Sequence, residues 1–334
     1  MRGPLTRTVS HFSRLTVPIS GSAPILLQAA AVPSRLRGQV FPVGKFLRAN
    51  RVPFDPLMRG DQKFPDVELF ISVGPSEVPL VEGVVRAATQ YSLNRVVRVV
   101  LLVDVGTTLP DFELDVPIHT HLKESLLSES TRTSISSAFG ERDGWVLQQF
   151  NKLAWAAQAD SMGVLILDAD TFLTRPRLFL DSSGNQVLLP TWEYHRPYYE
   201  VYDQLGGPLS KIDVSGPSFI AHHMLMQPQM VRELLNDFGA ATVDDFAQSI
   251  FQTVDLTSDL HSSLCVDYEL YGQWMYRRRL SKVRLGRWSN IGLSRTKGNL
   301  EAVQSGRLSR IGYASASFHG YLGPKRRAWD STHE

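Results

Sequence analysis

The segment GVLILDADTFLTRP, residues 163–176, sets four apolar residues directly before two aspartates separated by one alanine. Two carboxylates at the end of a buried strand are costly unless a partner compensates them. Hard divalent cations take oxygen ligands, and next to phosphates they often need only one or two protein carboxylates. Asp168 and Asp170 therefore suit Mg²⁺ or Mn²⁺ held against a diphosphate, provided that Ala169 points back into the core. A diphosphate bridged by such a cation is a good leaving group, because the cation neutralises the charge that develops as the bond breaks. The competing reading is an Asx turn that caps the next segment in a solvated loop, with no ion.

The elements around this pair read as alternating strands and helices, the pattern of parallel strands joined by helical crossovers. VELFISVGP (67–75) reads as a first strand, and EVPLVEGVVRAATQYS (77–92) as the helix behind it, with Leu80, Val84, Ala87 and Ala88 on one face. RVVRVVLLVD and VPIHTH read as a second strand and a short third. Trp145 to Asp160 reads as a helix with Leu147, Phe150, Leu153, Ala154 and Ala157 as its buried stripe, and with Gln148 and Lys152 together on another face. VLIL is then a fourth strand, buried on both sides, which sets Asp168 and Asp170 just past a carboxyl end, where open α/β sheets bind their ligands. Beyond it QVLLPTWEY and SGPSFIAHHMLM suggest further strands, and QPQMVRELLNDFG, VDDFAQSIFQTV and VDYELYGQWMYRRR suggest helices, with SASFHGYL a late strand or strand end. In FIAHHM, an extended chain directs only one of His222 and His223 toward a cleft.

The chain of 334 residues has an ordinary globular composition, 43% hydrophobic and 20% charged, so a sizeable core is expected. Its single cysteine, Cys265, excludes an intramolecular disulfide and any cysteine-rich zinc site, and points to a reducing compartment. The net charge of +2 conceals an uneven distribution. Residues 1–54 carry eight Arg or Lys and no acid, 55–274 carry 14 basic and 30 acidic residues, and 275–334 carry 13 basic and three acidic. An acidic centre between basic ends fits a metal site with peripheral attraction to phosphate or to an anionic membrane; ordinary solvated surface charge fits as well. The proline-rich beginning reads as irregular, and APILLQAAAVP has some features of a cleaved targeting peptide but is interrupted by Pro, Ser and Gly.

GVLILDADTFLTRP resembles the D-x-D segment of GT-A-type glycosyltransferases, the nucleotide-diphospho-sugar transferase superfamily. The series GWVLQQFNKL, LILDADTFLTRP, SGPSFIAHHMLM, CVDYELYGQWM and SFHGYL is similar to a bacterial family of uncharacterised GT-A-like proteins, over roughly residues 66 to 322. The resemblance implies a GT-A-like, Rossmann-type mixed sheet, mostly parallel and flanked by helices, with the D-x-D after a central strand. It implies that Asp168 and Asp170 hold Mn²⁺ or Mg²⁺ on the donor diphosphate, Asp170 more directly, with His319 as a further ligand. Ser72, Val73 and Gly74 would pass close to the base and ribose of the donor, and Lys152 would reach a donor phosphate. Glu269, with Asp267 beside it, occupies the place of an acceptor-side general base for an inverting transfer; the alternative is that Asp267 caps a helix with Glu269 in its first turn.

The expected organisation is a basic N-terminal extension over residues 1–60, a single α/β domain over 61–325 and a tail over 326–334. The expected activity is a metal-dependent transfer of sugar from a nucleotide-diphospho-sugar to a glycan or lipid-linked acceptor. The aromatic stretch PTWEYHRPYYEVYDQLGG suits such an acceptor as readily as it suits core cover. The basic run YRRRLSKVRLGRW, Tyr276–Trp288, would serve a diphosphate or an anionic membrane, and no nucleic-acid partner is expected. The expected location is the cytoplasm, with peripheral contact at the inner face of the cell membrane. Two rivals share the aspartate pair. A haloacid-dehalogenase-type phosphatase would want Thr171 one place later, and a non-catalytic GT-A-like scaffold would keep the fold without turnover.

Overall fold

The computed structural model describes residues 63–191, 193, 195–212, 216–255 and 264–319. The expected N-terminal extension and C-terminal tail, and the aromatics Trp192 and Tyr194, lie outside these residues. In chain order the elements are β1 (Val67–Ser72), α1 (Val78–Tyr91), β2 (Val96–Val103), β3 (Ile118–Leu122), α2 (Glu129–Phe139), α3 (Asp143–Gln158), β4 (Val164–Leu167) and β5 (Thr171–Leu173). They continue through β6 (Gln186–Leu188), α4 (Arg196–Leu205), β7 (His223–Met226), α5 (Pro228–Asp237), α6 (Val243–Thr253) and α7 (Tyr268–Arg278). The last are β8 (Val283–Leu285), β9 (Asn290–Leu293), α8 (Lys297–Gln304), α9 (Arg307–Arg310) and β10 (Ser315–Phe318).

The fold is α/β, with a mixed, mostly parallel central sheet flanked by helices. Its strand order is β3-β2-β1-β4-β7. The first four strands run parallel and β7 runs antiparallel to β4, with Leu167 opposite His223. Alternate residues of these strands face opposite sides, because the side-chain period of a strand is two. On one side Phe70, Val100, Leu102, Val164 and Ile166 pack against α2, α3, α5, α6 and α7. On the other, Leu69, Ile71, Leu101 and Leu167 pack against α1, through Leu80, Val81, Val84 and Val85, and against β5 and β10 of a second sheet. With both faces covered, β1, β4 and β7 are buried along their whole length, which is why β4 reads as a continuous apolar run and β1 and β7 as mainly apolar ones.

Helix boundaries follow local chemistry. Pro79 stands in the first turn of α1, where its missing N–H is no loss. Ser128 caps α2 by accepting from the Thr131 N–H, and Thr242 and Asp245 form a reciprocal capping box at α6. Against expectation, α3 does not present a single buried stripe. Gln149 through Ala156 are all buried, so Lys152 lies inside the protein and not on a solvated face. The strand expected across QVLLPTWEY is confined to β6.

The strand order places a topological switch between β1 and β4. From β1 the chain moves outward through β2 to β3, then returns to lay β4 on the other side of β1. At such a point the connections leave in opposite directions and open a crevice beyond the carboxyl ends of the two strands.

Candidate active site

A cavity of about 660 Å³ occupies this crevice. Ser72 and Gly74 from the end of β1 and Asp168, Ala169 and Asp170 from the end of β4 form its floor. Lys152 and Gln149 of α3, His222 before β7, Asp267 and Tyr268 at the start of α7, and His319 after β10 supply its walls.

The aspartates sit in a tight reversal in which the Thr171 N–H donates to the Asp168 carbonyl at 2.9 Å. Ala169 is buried in the apolar cluster beneath, so the flanking carboxylates turn outward, as the alternation requires. The Asp168 N–H donates to the His222 carbonyl at 3.0 Å, and the Phe318 N–H donates to the Asp170 carbonyl at 2.9 Å. The second of these bonds tethers the strand end carrying His319 to the Asp170 backbone.

Asp168 is fully engaged. Lys152 Nζ donates to its Oδ1 at 2.8 Å, and the Tyr268 hydroxyl donates to the same oxygen at 2.9 Å. His222 Nδ1 lies 3.3 Å from its Oδ2. Burial would raise the Asp168 carboxyl, but the Lys152 ammonium, followed by His222, holds it below the usual carboxylate range. Lys152 in turn donates to Asp267 Oδ2 at 3.0 Å and lies 4.2 Å from the centre of the Tyr268 ring. Burial opposes the charge of this lysine, yet Asp168 and Asp267 together keep its pKa well above the ordinary value. His222 is also raised, because its bond to Asp168 outweighs the effect of burial.

Asp170 is treated differently. Among the described residues its one ion pair is with Arg295, Nη2 lying 3.4 Å from Oδ2, long beside the roughly 2.8 Å of a tight charge-assisted bond, and the Thr171 hydroxyl lies 3.5 Å from Oδ1. Burial, followed by the neighbouring Asp168 charge, pushes the Asp170 carboxyl up to about 6, against the pull of His222 and Arg295. His319 packs on His222 with ring centres 4.8 Å apart. Burial, then the charge of His222, lowers His319 to about 4, which leaves a neutral imidazole.

These groups fit a hard divalent cation in one respect and not in another. Among the described residues no set of three or more His, Cys, Asp or Glu side chains is gathered as a closed metal cage. Asp170 is nevertheless a half-buried carboxylate with incomplete compensation, joined by a neutral imidazole on the tethered strand end. An open set of this kind suits Mg²⁺ or Mn²⁺ if diphosphate oxygens and water complete the coordination. Asp168, already held by three groups, fixes the turn.

The other expected residues separate clearly. Ser72 and Gly74 line the cavity, but Val73 does not: it is buried in the α1-side core, as strand alternation dictates. A side chain at Gly74 would run into Glu77 Oε2, so glycine here admits a close neighbour. Lys152 lines the cavity, as a donor-phosphate ligand must, and is a buried cation that pairs with both Asp168 and Asp267. Asp267 faces the cavity, and although it precedes α7 its side chain makes no capping bond and turns to Lys152 instead.

Glu269 is the largest correction. It is fully buried and does not line the cavity. Tyr199 donates to its Oε1 at 2.6 Å and Gln273 Nε2 at 2.9 Å, while Ser218 Oγ at 3.1 Å and the Phe219 N–H donate to Oε2. Two residues, about half a helical turn, carry Glu269 away from the cavity side of Asp267, to where it joins α4, α7 and the segment before β7.

Tyr268, His222 and Arg295 were not singled out as site residues by the sequence. Tyr268 is adjacent to Asp267, and alternation in FIAHHM allowed one histidine into the cleft without saying which. Arg295, in SRTK, has no local signal at all, because its partners come from distant elements. Compared with models of known protein families and with curated proteins, the chain matches none.

Proposed function

We propose that the protein is a metal-dependent glycosyltransferase of GT-A type, moving a sugar from a nucleotide-diphosphate donor to a glycan or lipid-linked acceptor. The observation that carries this reading is the position of the aspartate pair at the switch-point cavity, opposite Ser72 and Gly74. A nucleoside enters over the end of β1, where glycine allows close approach, and its diphosphate then lies toward Asp170. Asp170 and His319 would hold Mn²⁺ or Mg²⁺, and Asp168 would fix the turn that presents Asp170. When bound, the cation supplies charge neutralisation for the departing diphosphate.

The chain's own residues do the rest. Lys152 holds the Asp168 and Asp267 side chains in place. Asp267 replaces Glu269 as the acceptor-side carboxylate, since it is the one of the two that lines the cavity. An acceptor hydroxyl bound beside it would pass its proton to that carboxylate as it attacks. The wall formed by Trp145, Tyr198 and Gln148 offers aromatic faces beside hydrogen-bonding groups, a surface suited to a sugar.

Calorimetric titration of UDP, GDP and a panel of nucleotide sugars, with and without Mn²⁺, tests the reading. Binding that requires both the cation and Asp170 supports it, and absence of metal-dependent binding to every nucleotide overturns it.

Among the described residues no helix is long and apolar enough to cross a membrane. The basic run after α7 is partly committed to internal pairs, Arg278 with Asp237, Arg279 with Glu233 and Arg284 with Asp181. Contact with an anionic membrane would therefore rest on the remaining charges, including exposed Arg277 and Lys282.

A further inference from the structure

We propose that Arg295 is a resident counter-ion for Asp170, which shares the carboxylate's charge and competes with the divalent cation for it. The inference rests on the metal-dependent reading above and specifies how the site regulates its own affinity.

Arg295 lies in the turn between β9 and α8 and is held by groups from three parts of the chain. Its Nε donates to the Phe318 carbonyl at 3.2 Å, its Nη1 to the Ser76 carbonyl at 3.3 Å and its Nη2 to Glu77 Oε1 at 2.5 Å. The same Nη2 reaches Asp170 Oδ2 at 3.4 Å. The side chain is 22% exposed, so both ion pairs lie largely out of water.

A cation meant to neutralise Asp170 permanently would sit as Lys152 does on Asp168, at 2.8 Å. Arg295 instead makes its short bond to Glu77 and a long one to Asp170. The guanidinium fork and its carbonyl anchors fix this unequal sharing, which a flexible ammonium could not reproduce. Asp170 thus keeps a nearby positive charge, yet retains an oxygen surface that a doubly charged ion can take. The Arg295 charge opposes that ion, and Glu77 limits how strongly.

This arrangement makes two substitutions act in opposite directions. In Arg295→Gln the opposing charge is gone and Glu77 is uncompensated, so Mn²⁺ titrated alone, without nucleotide, should bind about tenfold more tightly than to wild type. In Glu77→Gln the guanidinium keeps its carbonyl anchors but loses its charged partner, so its whole charge opposes the ion at Asp170, and Mn²⁺ should bind several-fold more weakly. General damage to the site weakens binding in both variants and cannot produce the first result.

Calorimetry on the full chain, with folding checked by circular dichroism, distinguishes the outcomes. Tighter binding by Arg295→Gln with weaker binding by Glu77→Gln supports the proposal. Unchanged or weaker binding by folded Arg295→Gln overturns it. If that variant fails to fold, Glu77→Gln decides alone, and unchanged or tighter binding overturns the proposal. Failure of wild type to bind Mn²⁺ either alone or with nucleotide overturns the metal-dependent reading itself and the proposal with it.

Discussion

Asp170 and Glu269 are both carboxylates withdrawn from water, and the protein treats them in opposite ways. Glu269 is fully buried and receives four hydrogen bonds from Tyr199, Gln273, Ser218 and the Phe219 backbone. Asp170 lies at the edge of a cavity with only long side-chain contacts among the described residues, from Arg295 at 3.4 Å and from the Thr171 hydroxyl at 3.5 Å. A buried polar group that is fully satisfied stiffens the structure around it, while one left incomplete retains capacity for a ligand. By that criterion Glu269 belongs to the architecture and Asp170 to the chemistry. Asp168 stands between them, saturated like Glu269 but by charged groups that also shape the cavity.

The contrast can be broken or sharpened by substitution. Lys152→Met should have the largest effect, because it leaves Asp168 and Asp267 facing each other without their shared cation; a loss of about 3–5 kcal/mol in chemical denaturation is expected. Glu269→Ala should cost about 2–4 kcal/mol by stranding buried donors. Nucleotide affinity measured on the folded fraction should then stay near wild type, and a binding defect without a stability defect would reverse the assignment of roles.

Asp170→Asn should do the converse. Mn²⁺-dependent nucleotide binding should fall by about a hundredfold, with a melting temperature equal to or above that of wild type. The smallest effect is expected at Asp181, which accepts from the Ser183 and Asn185 backbone and pairs with Arg284. Burial works against its ionisation, but the Asn185 and Ser183 bonds and then Arg284 hold its carboxyl below the usual carboxylate range. Its stabilisation is therefore complete above about pH 4 and is lost as pH falls through the folded-state value. Asp181→Asn should make the acid limb of a stability profile shallower by about 1 kcal/mol.

The central architecture was legible where burial leaves a periodic trace. β1, β2 and β4 were visible as apolar runs, α1 as an amphipathic face, and the position of the aspartates past a strand end followed from these. Small elements were not: β5, β8 and β9 are three or four residues long and owe their pairing to distant partners, so no local pattern marks them. α2 was missed because its sequence, ESTRTSISSAF, is polar apart from a few positions and is set by the cap at Ser128.

In the candidate site, residue types were easier to read than their directions. Asp267 and Glu269 are two apart, and in a helix that spacing sends them to different sides. Only the packed structure shows that Asp267 meets Lys152 and that Glu269 meets Tyr199. Lys152 was misread because charge usually marks a solvated face; its two buried acids come from positions 16 and 115 residues away.

Those separations bear on how the chain folds. The groups that make Asp168 tolerable at the end of β4 arrive from α3, then from His222, then from the 267–268 segment, a hundred residues later. Closing loops of this length is slow relative to forming a local helix. A growing chain can pair β1 through β4 early, yet the aspartate turn remains electrostatically unfinished until α7 docks. Completion of the cavity is therefore a late folding event, and a chain cut short before Cys265 would carry its central strand into a core that lacks the partners to accept it.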